Sequence, residues 1–299
     1  MQAASTTDSK NIDFKTLARV LTRVENDLPG SAEILQGLQH QVDATVLGIT
    51  GPPGAGKSTL VNALINKISS QNKRIAVIAI DPTSPFNLGS LLGDRIRMAE
   101  QFNKPNVYIR SLATRGSLGG LSAKTIEMVD VLKAAGFDYI LVETVGVGQS
   151  EVEIVGLADI TIVVLVPEAG DEIQGIKSGL MEIADIFVVN KSDREGAQLF
   201  ANNLKKLVHQ KATEIPVLKT VADREEGIDE LLKAIQHHAK TENKHKPYLL
   251  AEKAWKLIQQ KRMADIDKIK LQQEIAEASQ KSEFNLYRFI QTQYGIKNS

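Results

Sequence analysis

A glycine-rich stretch has the residue types and spacing of a phosphate-binding loop. It matches G-x-x-x-x-G-K-S/T, follows a short apolar run and precedes apolar residues at helical spacing. In this pattern backbone N–H groups face a phosphate, the lysine (Lys57) reaches the β- and γ-phosphates, and the hydroxyl (Ser58) can bind Mg²⁺. The sequence therefore predicts a nucleoside triphosphate site formed by Gly51, Pro52, Pro53, Gly54, Ala55, Gly56, Lys57, Ser58 and Thr59.

Acidic residues at the ends of two further apolar runs could complete a magnesium site. Asp81 ends the run 75–81, and Glu143 ends the run 138–143. Because Mg²⁺ keeps several of its waters, its protein sites use carboxylates to hold them. A turn or helix cap is the alternative role for Asp81. Asp94 is a further candidate, although an exposed helix position explains it equally well.

Two loops could report the state of the nucleotide. We expect the N–H group of Gly146 to sense the γ-phosphate, and the glycine-rich loop around it to move when that phosphate leaves. Gln149 is a candidate for orienting the attacking water, with an ordinary loop position as the alternative. The polar loop 167–177 is either a switch that faces a partner or a helix N-terminus rich in capping acids.

The segment 190–193 has the arrangement N-K-x-D at the end of another apolar run. The Asp193 carboxylate can accept two hydrogen bonds, from the N1–H and the 2-amino group of guanine. Adenine has no matching pair of donors, and an unpaired acceptor disfavours the wrong base. We expect Asn190 to support the loop and Lys191 to lie along the ring. A weaker signal predicts that Val221, Ala222 and Asp223 offer backbone N–H groups to the guanine oxygen.

These segments need a framework that brings strand ends together. The sequence predicts strands at 45–50, 75–81, 107–111, 138–143, 160–166, 186–190 and 215–219. Helices are predicted between them at 57–70, 88–102, 121–135, 170–184, 195–211 and 227–240. The strands are continuous apolar runs, which is typical of a parallel sheet buried on both faces. The fold class is therefore α/β, with a phosphate-binding-loop NTPase sheet that binds its ligand at the carboxyl ends of the strands.

Helical segments flank this region. We expect an N-terminal helical extension over residues 1–43, a nucleotide-binding domain over 44–242, and a C-terminal helical arm over 243–299. Within the arm, residues 248–280 are charged and free of glycine, which predicts one long helix or a helical hairpin. Its apolar stripe needs either the parent domain or a second subunit to cover it.

The composition excludes several classes of function. The chain has 36 basic and 36 acidic residues, so a generally basic surface for nucleic acid is not expected. It contains no cysteine, which excludes disulfides, thiolate metal sites and cysteine nucleophiles. No apolar run is long enough to span a membrane, and a cytoplasmic location is the default expectation. Arg110 and Arg115 are expected to be solvated charges, with a phosphate or acidic partner contact as the alternative.

Together these motifs resemble the MeaB/ArgK family of GTPases, which are GTP-binding chaperones of adenosylcobalamin-dependent methylmalonyl-CoA mutase. The resemblance covers nearly the whole chain. It depends on residues 51–59, 81–84, 91–98, 114–116 with 118–120, 143–151, 169–177 and 190–193.

The resemblance implies a phosphate, Mg²⁺ and catalytic site formed by Lys57, Ser58, Asp81, Asp94 and Glu143. It also implies that the loop 168–177 is a third switch facing the mutase, and that the protein is a homodimer in which the C-terminal arm takes part. The leading hypothesis is a slow, Mg²⁺-dependent GTPase that gates the loading or protection of the cobalamin cofactor. The alternatives are a metal-insertion GTPase of the nickel-enzyme maturation type, or a kinase.

Overall fold

The computed structural model of the protein describes most of the chain. The described residues are 13–39, 44–81, 98–113, 123–144, 154–170, 180–208, 215–238, 251, 254–255, 257–259, 261–280 and 283–295. The chain divides into two compact units, Met1–Lys253 and Ala254–Ser299. None of the helices in these described ranges is long and apolar enough to cross a membrane.

A seven-stranded sheet forms the centre of the first unit. Its strands are β1 (Thr45–Thr50), β2 (Ile75–Asp81), β3 (Val107–Ala113), β4 (Tyr139–Glu143), β5 (Ile160–Leu165), β6 (Ile186–Val189) and β7 (Val217–Lys219). They lie in the order β3-β2-β4-β1-β5-β6-β7, and every pair of neighbours is parallel. The predicted parallel α/β sheet is therefore confirmed.

Helices precede, connect and follow these strands in the first unit, and the second unit is also helical in its described residues. The α-helices are α1 (Phe14–Glu25), α2 (Ser31–Gln36), α3 (Lys57–Ser69), α4 (Ala123–Ala134), α5 (Leu180–Ile183), α6 (Ala197–Val208), α7 (Ile228–His238), α8 (Lys268–Ala278) and α9 (Leu286–Tyr294). Single 3₁₀ turns occur at Ala99–Asn103, Ile154–Gly156, Pro167–Gly170 and Ala222–Arg224.

Strand β5 shows why the strands read as continuous apolar runs. Ile162 and Val164 belong to a core shared with α3 and α7, whereas Val163 and Leu165 belong to a core shared with α6. Successive side chains of a strand point to opposite faces of the sheet, so a strand covered by helices on both faces has no solvent-exposed side. All six residues of β5 are buried. The carboxyl edge of the sheet therefore remains as the place for polar chemistry.

Some predicted boundaries differ from the structure. The last part of the helix predicted over 88–102 is a 3₁₀ turn, Ala99–Asn103, and residues 88–97 lie outside the described ranges. Strand β7 begins at Val217 rather than at 215, directly after Pro216, which has no N–H group to donate to the sheet.

The N-terminal helix α1 packs on the sheet through an aromatic cluster. The ring of Phe14 lies 5.5 Å from that of Tyr108 on β3 and 6.2 Å from that of Phe137 before β4, measured between centroids. Leu17 and Leu21 on the same face of the helix are fully buried. Helix α1 is thus part of the first compact unit, because its apolar stripe completes the core beside β3.

The prediction that Arg110 is a solvated charge was wrong. This residue lies on β3, and its guanidinium forms an ion pair with Glu25, with only 17% and 14% of the two side chains exposed. It also donates to the Thr22 hydroxyl at 3.1 Å and to the Ala18 carbonyl at 3.4 Å. Burial acts to lower the pKa of Arg110, but hydrogen bonds to Glu25 and Tyr108 outweigh burial and raise it. Arg110 therefore fastens α1 to the sheet edge.

The second unit contains capped helices with exposed apolar side chains. A turn at 263–265 interrupts the helical pattern, so residues 248–280 do not form one continuous helix. The Asp267 carboxylate accepts from the Ile269 N–H at 2.8 Å and so fixes the start of α8. Within the unit, the Tyr294 hydroxyl donates to Glu274 at 2.9 Å, and this bond raises the pKa of Tyr294.

Replacing Glu25 with alanine should destabilise the first unit, because it leaves the Arg110 guanidinium largely buried without its carboxylate. We expect Glu25→Ala to lower the free energy of unfolding by about 2–3 kcal/mol, measured by urea denaturation. The double variant Glu25→Leu with Arg110→Met should recover most of this loss. Glu33→Ala, at an exposed position on α2, is the control; an equal loss in that variant would contradict the anchoring role.

Candidate nucleotide-binding site

The phosphate-loop motif lies between the central strand β1 and the start of α3. Helix α3 begins at Lys57, directly after Gly56, whose φ of +85° is a left-handed conformation. A Cβ atom at Gly56 would lie 2.3 Å from the side-chain nitrogen of Asn190, and one at Gly51 would lie 2.1 Å from the Val164 carbonyl oxygen. Glycine is therefore required at these two positions by both backbone conformation and close packing.

The ammonium group of Lys57 is held beneath this loop. Lys57 is 6% exposed, and its Nζ donates to the carbonyl oxygens of Gly51 at 2.8 Å and Pro52 at 3.0 Å. Its position at the first turn of α3 places a cation beside the N–H groups that a helix N-terminus leaves without intrahelical partners. The arrangement concentrates positive potential at one end of β1, which suits a polyphosphate.

A hydroxyl and a carboxylate meet beside the loop. Ser58 Oγ donates to Glu143 Oε1 at 2.6 Å, and the Glu143 residue is 6% exposed. Glu143 is the last residue of β4 and pairs in register with Ile49 of β1. Directly after it, the Thr144 hydroxyl donates to the Thr50 hydroxyl at 3.0 Å, with both threonines buried. This threonine pair ties the ends of β1 and β4 together and thereby fixes Glu143 opposite Ser58.

The oxygen donors of this pair fit a hard divalent cation such as Mg²⁺. Asp81 is the last residue of β2, in which Ala79 pairs with Glu143 of β4, so its backbone ends on the strand next to Glu143. The side chain of Asp81 and the whole of Asp94, Gly146, Gln149 and Arg115 lie outside the described residues. Within the described ranges, no group of three or more acidic or histidine side chains forms a metal cluster.

The Asn190 side chain joins three loops. Its Nδ2 donates to the Ala55 carbonyl oxygen of the phosphate loop at 2.9 Å. Its Oδ1 accepts from the Thr220 hydroxyl at 3.0 Å and from the Ala222 N–H at 3.2 Å. With 2% of its surface exposed, Asn190 is a buried amide with donor and acceptor both in use. The structure therefore brings together the segments 51–59, 190–193 and 221–223 that the sequence singled out.

The neighbouring residues of the N-K-x-D segment face the same edge. Lys191, in a left-handed conformation with φ of +55°, donates from Nζ to the Gly54 carbonyl oxygen at 2.8 Å. The Asp193 carboxylate accepts from Arg224 Nη2 at 3.3 Å. Asp193 is thus paired with a residue of the following loop, a contact that the sequence pattern did not predict.

The loop after β5 contacts the segment that follows Asp193. Its first part is the 3₁₀ turn Pro167–Gly170, and Glu168 forms an ion pair with Arg194. The hydrogen bond from Arg194 lowers the pKa of Glu168. The rest of the predicted switch, residues 171–177, lies outside the described ranges.

A phosphate loop after the central strand and an N-K-x-D segment two strands away, on a parallel sheet, define a P-loop GTPase. The chain belongs to the MeaB family, since the profile described as "Methylmalonyl Co-A mutase-associated GTPase MeaB" matches residues 17–277. The resemblance found from the motifs is therefore confirmed, and the protein is a GTPase that binds guanine nucleotides.

Relatives at the sequence level agree with this assignment. A protein of Pyrococcus abyssi is 52% identical over 237 residues, covering 77% of this chain and 73% of that protein. The GTPase ArgK of Escherichia coli is 39% identical, covering 74% of this chain and 70% of ArgK. The mitochondrial methylmalonic aciduria type A homolog of Mus musculus is 36% identical, covering 82% of this chain and 66% of that protein.

Two solved structures show the same architecture. An LAO/AO transport system kinase is 25% identical, with a TM-score of 0.69 over 98% of this chain and 97% of that one. HypB of Helicobacter pylori in complex with nickel is 17% identical, with a TM-score of 0.50 over 76% of this chain and 98% of that one. At that identity the HypB likeness shows the fold alone.

Two contacts of the site had little or no signal in the sequence. The hydroxyl pair of Thr50 and Thr144, and the pairing of Arg224 with Asp193, join residues from loops that are far apart in the chain. For the threonines a weak signal existed, because each stands at the end of an apolar run that turns toward the ligand edge. For Arg224 none existed, since a charged residue in a loop is ordinarily a solvated one.

Substitution of Gly56 should destabilise the protein more than substitution of Gly54. Both glycines have a positive φ, +85° for Gly56 and +78° for Gly54. A Cβ at Gly54 meets nothing within 4 Å, whereas one at Gly56 collides with Asn190. We expect Gly56→Ala to cost about 1–3 kcal/mol of unfolding free energy more than Gly54→Ala, measured by urea denaturation without nucleotide.

An Asn190→Ala background provides the control for this comparison, because it removes the atom that the new methyl group would meet. The difference between the two glycine variants should shrink there, as expected for coupled neighbours. A difference that persists unchanged would show that Asn190 does not impose the requirement for glycine.

Proposed function

We propose that this GTPase is Mg²⁺-dependent and serves as a chaperone for an adenosylcobalamin-dependent acyl-CoA mutase of the methylmalonyl-CoA mutase type. In this role its nucleotide state gates the loading or protection of the mutase cofactor. The observation that carries the proposal is the family match, because the family is described by its association with that mutase. The name of the mouse relative, methylmalonic aciduria type A homolog, points to the same metabolic step.

The phosphate side of the site would support transfer of the γ-phosphoryl group to water. Lys57 and the N–H groups at the start of α3 form a preorganised positive region, where charge developing on the transferring group is stabilised. Lys57 would exchange its bonds to the Gly51 and Pro52 carbonyls for phosphate oxygens. These carbonyls keep the ammonium group in place, so little reorganisation is needed when the nucleotide binds.

Ser58 and Glu143 would hold Mg²⁺, with Asp81 and Asp94 as the further members of the set. The partly buried Ser58–Glu143 pair supplies oxygen donors of the type that this cation prefers. When bound, Mg²⁺ neutralises charge on the β- and γ-phosphate oxygens. Glu143 would act as an acceptor for metal-bound water, since its neighbour Thr144 fixes the strand end from which it projects.

Guanine would be recognised at the edge formed by the loops that Asn190 joins. Asp193 would accept from the N1–H and 2-amino groups, and the Lys191 stem would cover the ring. The backbone of Val221, Ala222 and Asp223 would face the guanine oxygen. The buried Asn190 amide supports this assignment, because it locks residue 222 to the phosphate loop and so sets the distance between base and phosphate subsites.

Gly146 and the loop 168–177 would carry the nucleotide state to the mutase. The contact between Glu168 and Arg194 supports this part of the proposal, because it joins the start of that loop to the segment that recognises the base. A change at the nucleotide could therefore reach a partner-facing surface through adjoining loops.

The two alternatives have less support. A metal-insertion GTPase would require metal-ligating side chains, and the chain has no cysteine. The likeness to nickel-bound HypB shows the fold alone. A kinase function is the second candidate because one solved relative bears that name. Detection of a phosphorylated acceptor during GTP turnover would favour it over hydrolysis to GDP and phosphate.

Capture of a cobalamin-dependent mutase should depend on the bound nucleotide. We expect the full-length protein to retain purified methylmalonyl-CoA mutase at least about tenfold better in one nucleotide state, GDP or a non-hydrolysable GTP analogue. A tenfold ratio corresponds to about 1.4 kcal/mol of coupling, within the usual range for allosteric switches. Retention would be measured on immobilised GTPase by quantifying bound mutase.

The control is Lys57→Ala, which should abolish turnover and weaken nucleotide binding, so that capture no longer responds to the nucleotide. If the wild-type protein hydrolyses GTP but never retains a cobalamin mutase in either state, the chaperone role is wrong and the GTPase assignment stands. If Lys57→Ala hydrolyses GTP at the wild-type rate, the phosphate-site assignment is wrong.

We further propose that the protein is a homodimer in which the C-terminal arm takes part. Its second unit exposes large apolar side chains, and such side chains indicate an interaction surface where they form a contiguous exposed patch. The exposed fractions are 60% for Trp255, 47% for Ile258, 55% for Met263, 70% for Ile269, 43% for Leu286 and 78% for Tyr287.

A charge introduced into this surface should weaken the dimer. We expect Ile269→Glu to raise the dimer dissociation constant by about tenfold or more, because it removes apolar contact area and buries a carboxylate. The measurement is sedimentation velocity over a concentration series. Gln272→Glu adds the same charge to the same helix without removing apolar surface and should have a small effect. A monomeric wild-type protein at all concentrations would exclude the dimer.

A further inference from the structure

The Asp193 carboxylate accepts a hydrogen bond from Arg224 on the next loop. Arg224 Nη2 lies 3.3 Å from Asp193 Oδ2, and 59% and 37% of the two side chains are exposed. Among the described residues, Arg224 is the side chain that donates to this carboxylate. The pair lies at the edge where the base would bind, so its geometry bears on how the base is read.

Arg224 projects from a loop that is closed by its own backbone. Val221 and Glu226 exchange two hydrogen bonds, of 3.1 and 3.2 Å, and the Arg224 N–H donates to the Val221 carbonyl at 3.0 Å. Gly227, with φ of +77°, packs so closely that a Cβ would lie 2.2 Å from the Lys219 carbonyl oxygen. The guanidinium therefore extends from a backbone with little freedom of its own.

The next residue fastens this loop to the phosphate-binding helix. Glu225 adopts a left-handed conformation with φ of +57°, and its carboxylate accepts from Asn66 Nδ2 of α3 at 2.6 Å. The loop that carries Asp193 is tied to the same structure, because the Ser192 N–H donates to the Thr220 carbonyl at 3.0 Å. Arg224 and Asp193 thus meet from two loops whose backbones are both fixed.

We propose that Arg224 is a positioning residue that sets guanine specificity by fixing the orientation of the Asp193 carboxylate. This inference rests on the proposed role of Asp193 as the guanine acceptor. A carboxylate has about four lone-pair sites on its two oxygens, so it can accept from Arg224 and from the two donors of guanine together. With one site used by Arg224, the carboxylate plane is set before the base arrives.

Orientation matters more for guanine than for hypoxanthine. Guanine offers two donors to the carboxylate, and both bonds form only if its two oxygens face the base edge together. Hypoxanthine lacks the 2-amino group and needs one acceptor, which a rotating carboxylate can still provide. Loss of Arg224 should therefore weaken the binding of a guanine nucleotide more than the binding of the matching inosine nucleotide.

The test compares dissociation constants for GDP and inosine diphosphate by isothermal titration calorimetry. In Arg224→Met, which keeps the side-chain stem without its donors, the preference for GDP over IDP should fall by about two- to fivefold, the range for an exposed charged pair. Arg224→Lys retains one charged donor and should restore part of the preference. GDP and IDP share the same diphosphate, and the substitution should not change the contacts with it. Binding of IDP by the variant therefore shows that its site is correctly folded.

Arg194→Ala is the matched control, because it removes an equal charge from the Asp193 loop but its partner is Glu168. If Arg194→Ala lowers the preference for GDP over IDP as much as Arg224→Met does, the effect comes from the lost charge in general and the proposal is wrong. The proposal is also wrong if Arg224→Met leaves this preference unchanged. Tighter GDP binding in Arg224→Met would show that Arg224 competes with the base, which also overturns it. If the wild-type protein shows no preference for GDP, the assignment of Asp193 itself fails.

Discussion

The nucleotide site depends on one buried amide, the side chain of Asn190. Its donor holds the phosphate loop at Ala55, and its acceptor holds the following loop at Thr220 and Ala222. A buried amide with unsatisfied groups is costly, so these hydrogen bonds stabilise the three loops in one arrangement. The same side chain excludes any Cβ at Gly56. Gly56 in the phosphate motif and Asn190 in the N-K-x-D segment therefore depend on each other, because their close packing leaves no room for a side chain at residue 56.

Four cations among the described residues of the site are paired with protein oxygens. Lys57 and Lys191 donate to carbonyl groups of the phosphate loop, whereas Arg194 and Arg224 pair with carboxylates. These pairings give each of the four named cations a defined position and a partner at the edge of an apolar sheet. In the proposed nucleotide complex, Lys57 would exchange these carbonyls for phosphate oxygens, while the carboxylate pairs would remain beside the proposed base site.

The same framework explains how a GTPase of this family could act on a second protein. The phosphate loop and the base edge are tied to strand ends and to Asn190, so they form a fixed reference. The turn Pro167–Gly170 follows β5 and contacts the segment after Asp193 through the ion pair of Glu168 with Arg194. A loop that starts from such a contact can differ between nucleotide states while the sheet stays unchanged, which is the property that a chaperone gated by GTP needs.

The sequence by itself determined the class of protein, because the phosphate motif and the N-K-x-D segment are local patterns with local physical causes. Apolar runs of strand length also determined the parallel sheet, since burial on both faces leaves few positions for polar side chains. The tertiary structure alone decided the contacts between loops. The sequence predicted Arg110 as a surface charge, but the packing of α1 against β3 buries most of its side chain in an ion pair. No sequence pattern predicted the pairing of Arg224 with Asp193. The residues in such contacts are far apart in the chain, and the local sequence around one does not indicate the other. They meet only because the fold brings their elements together.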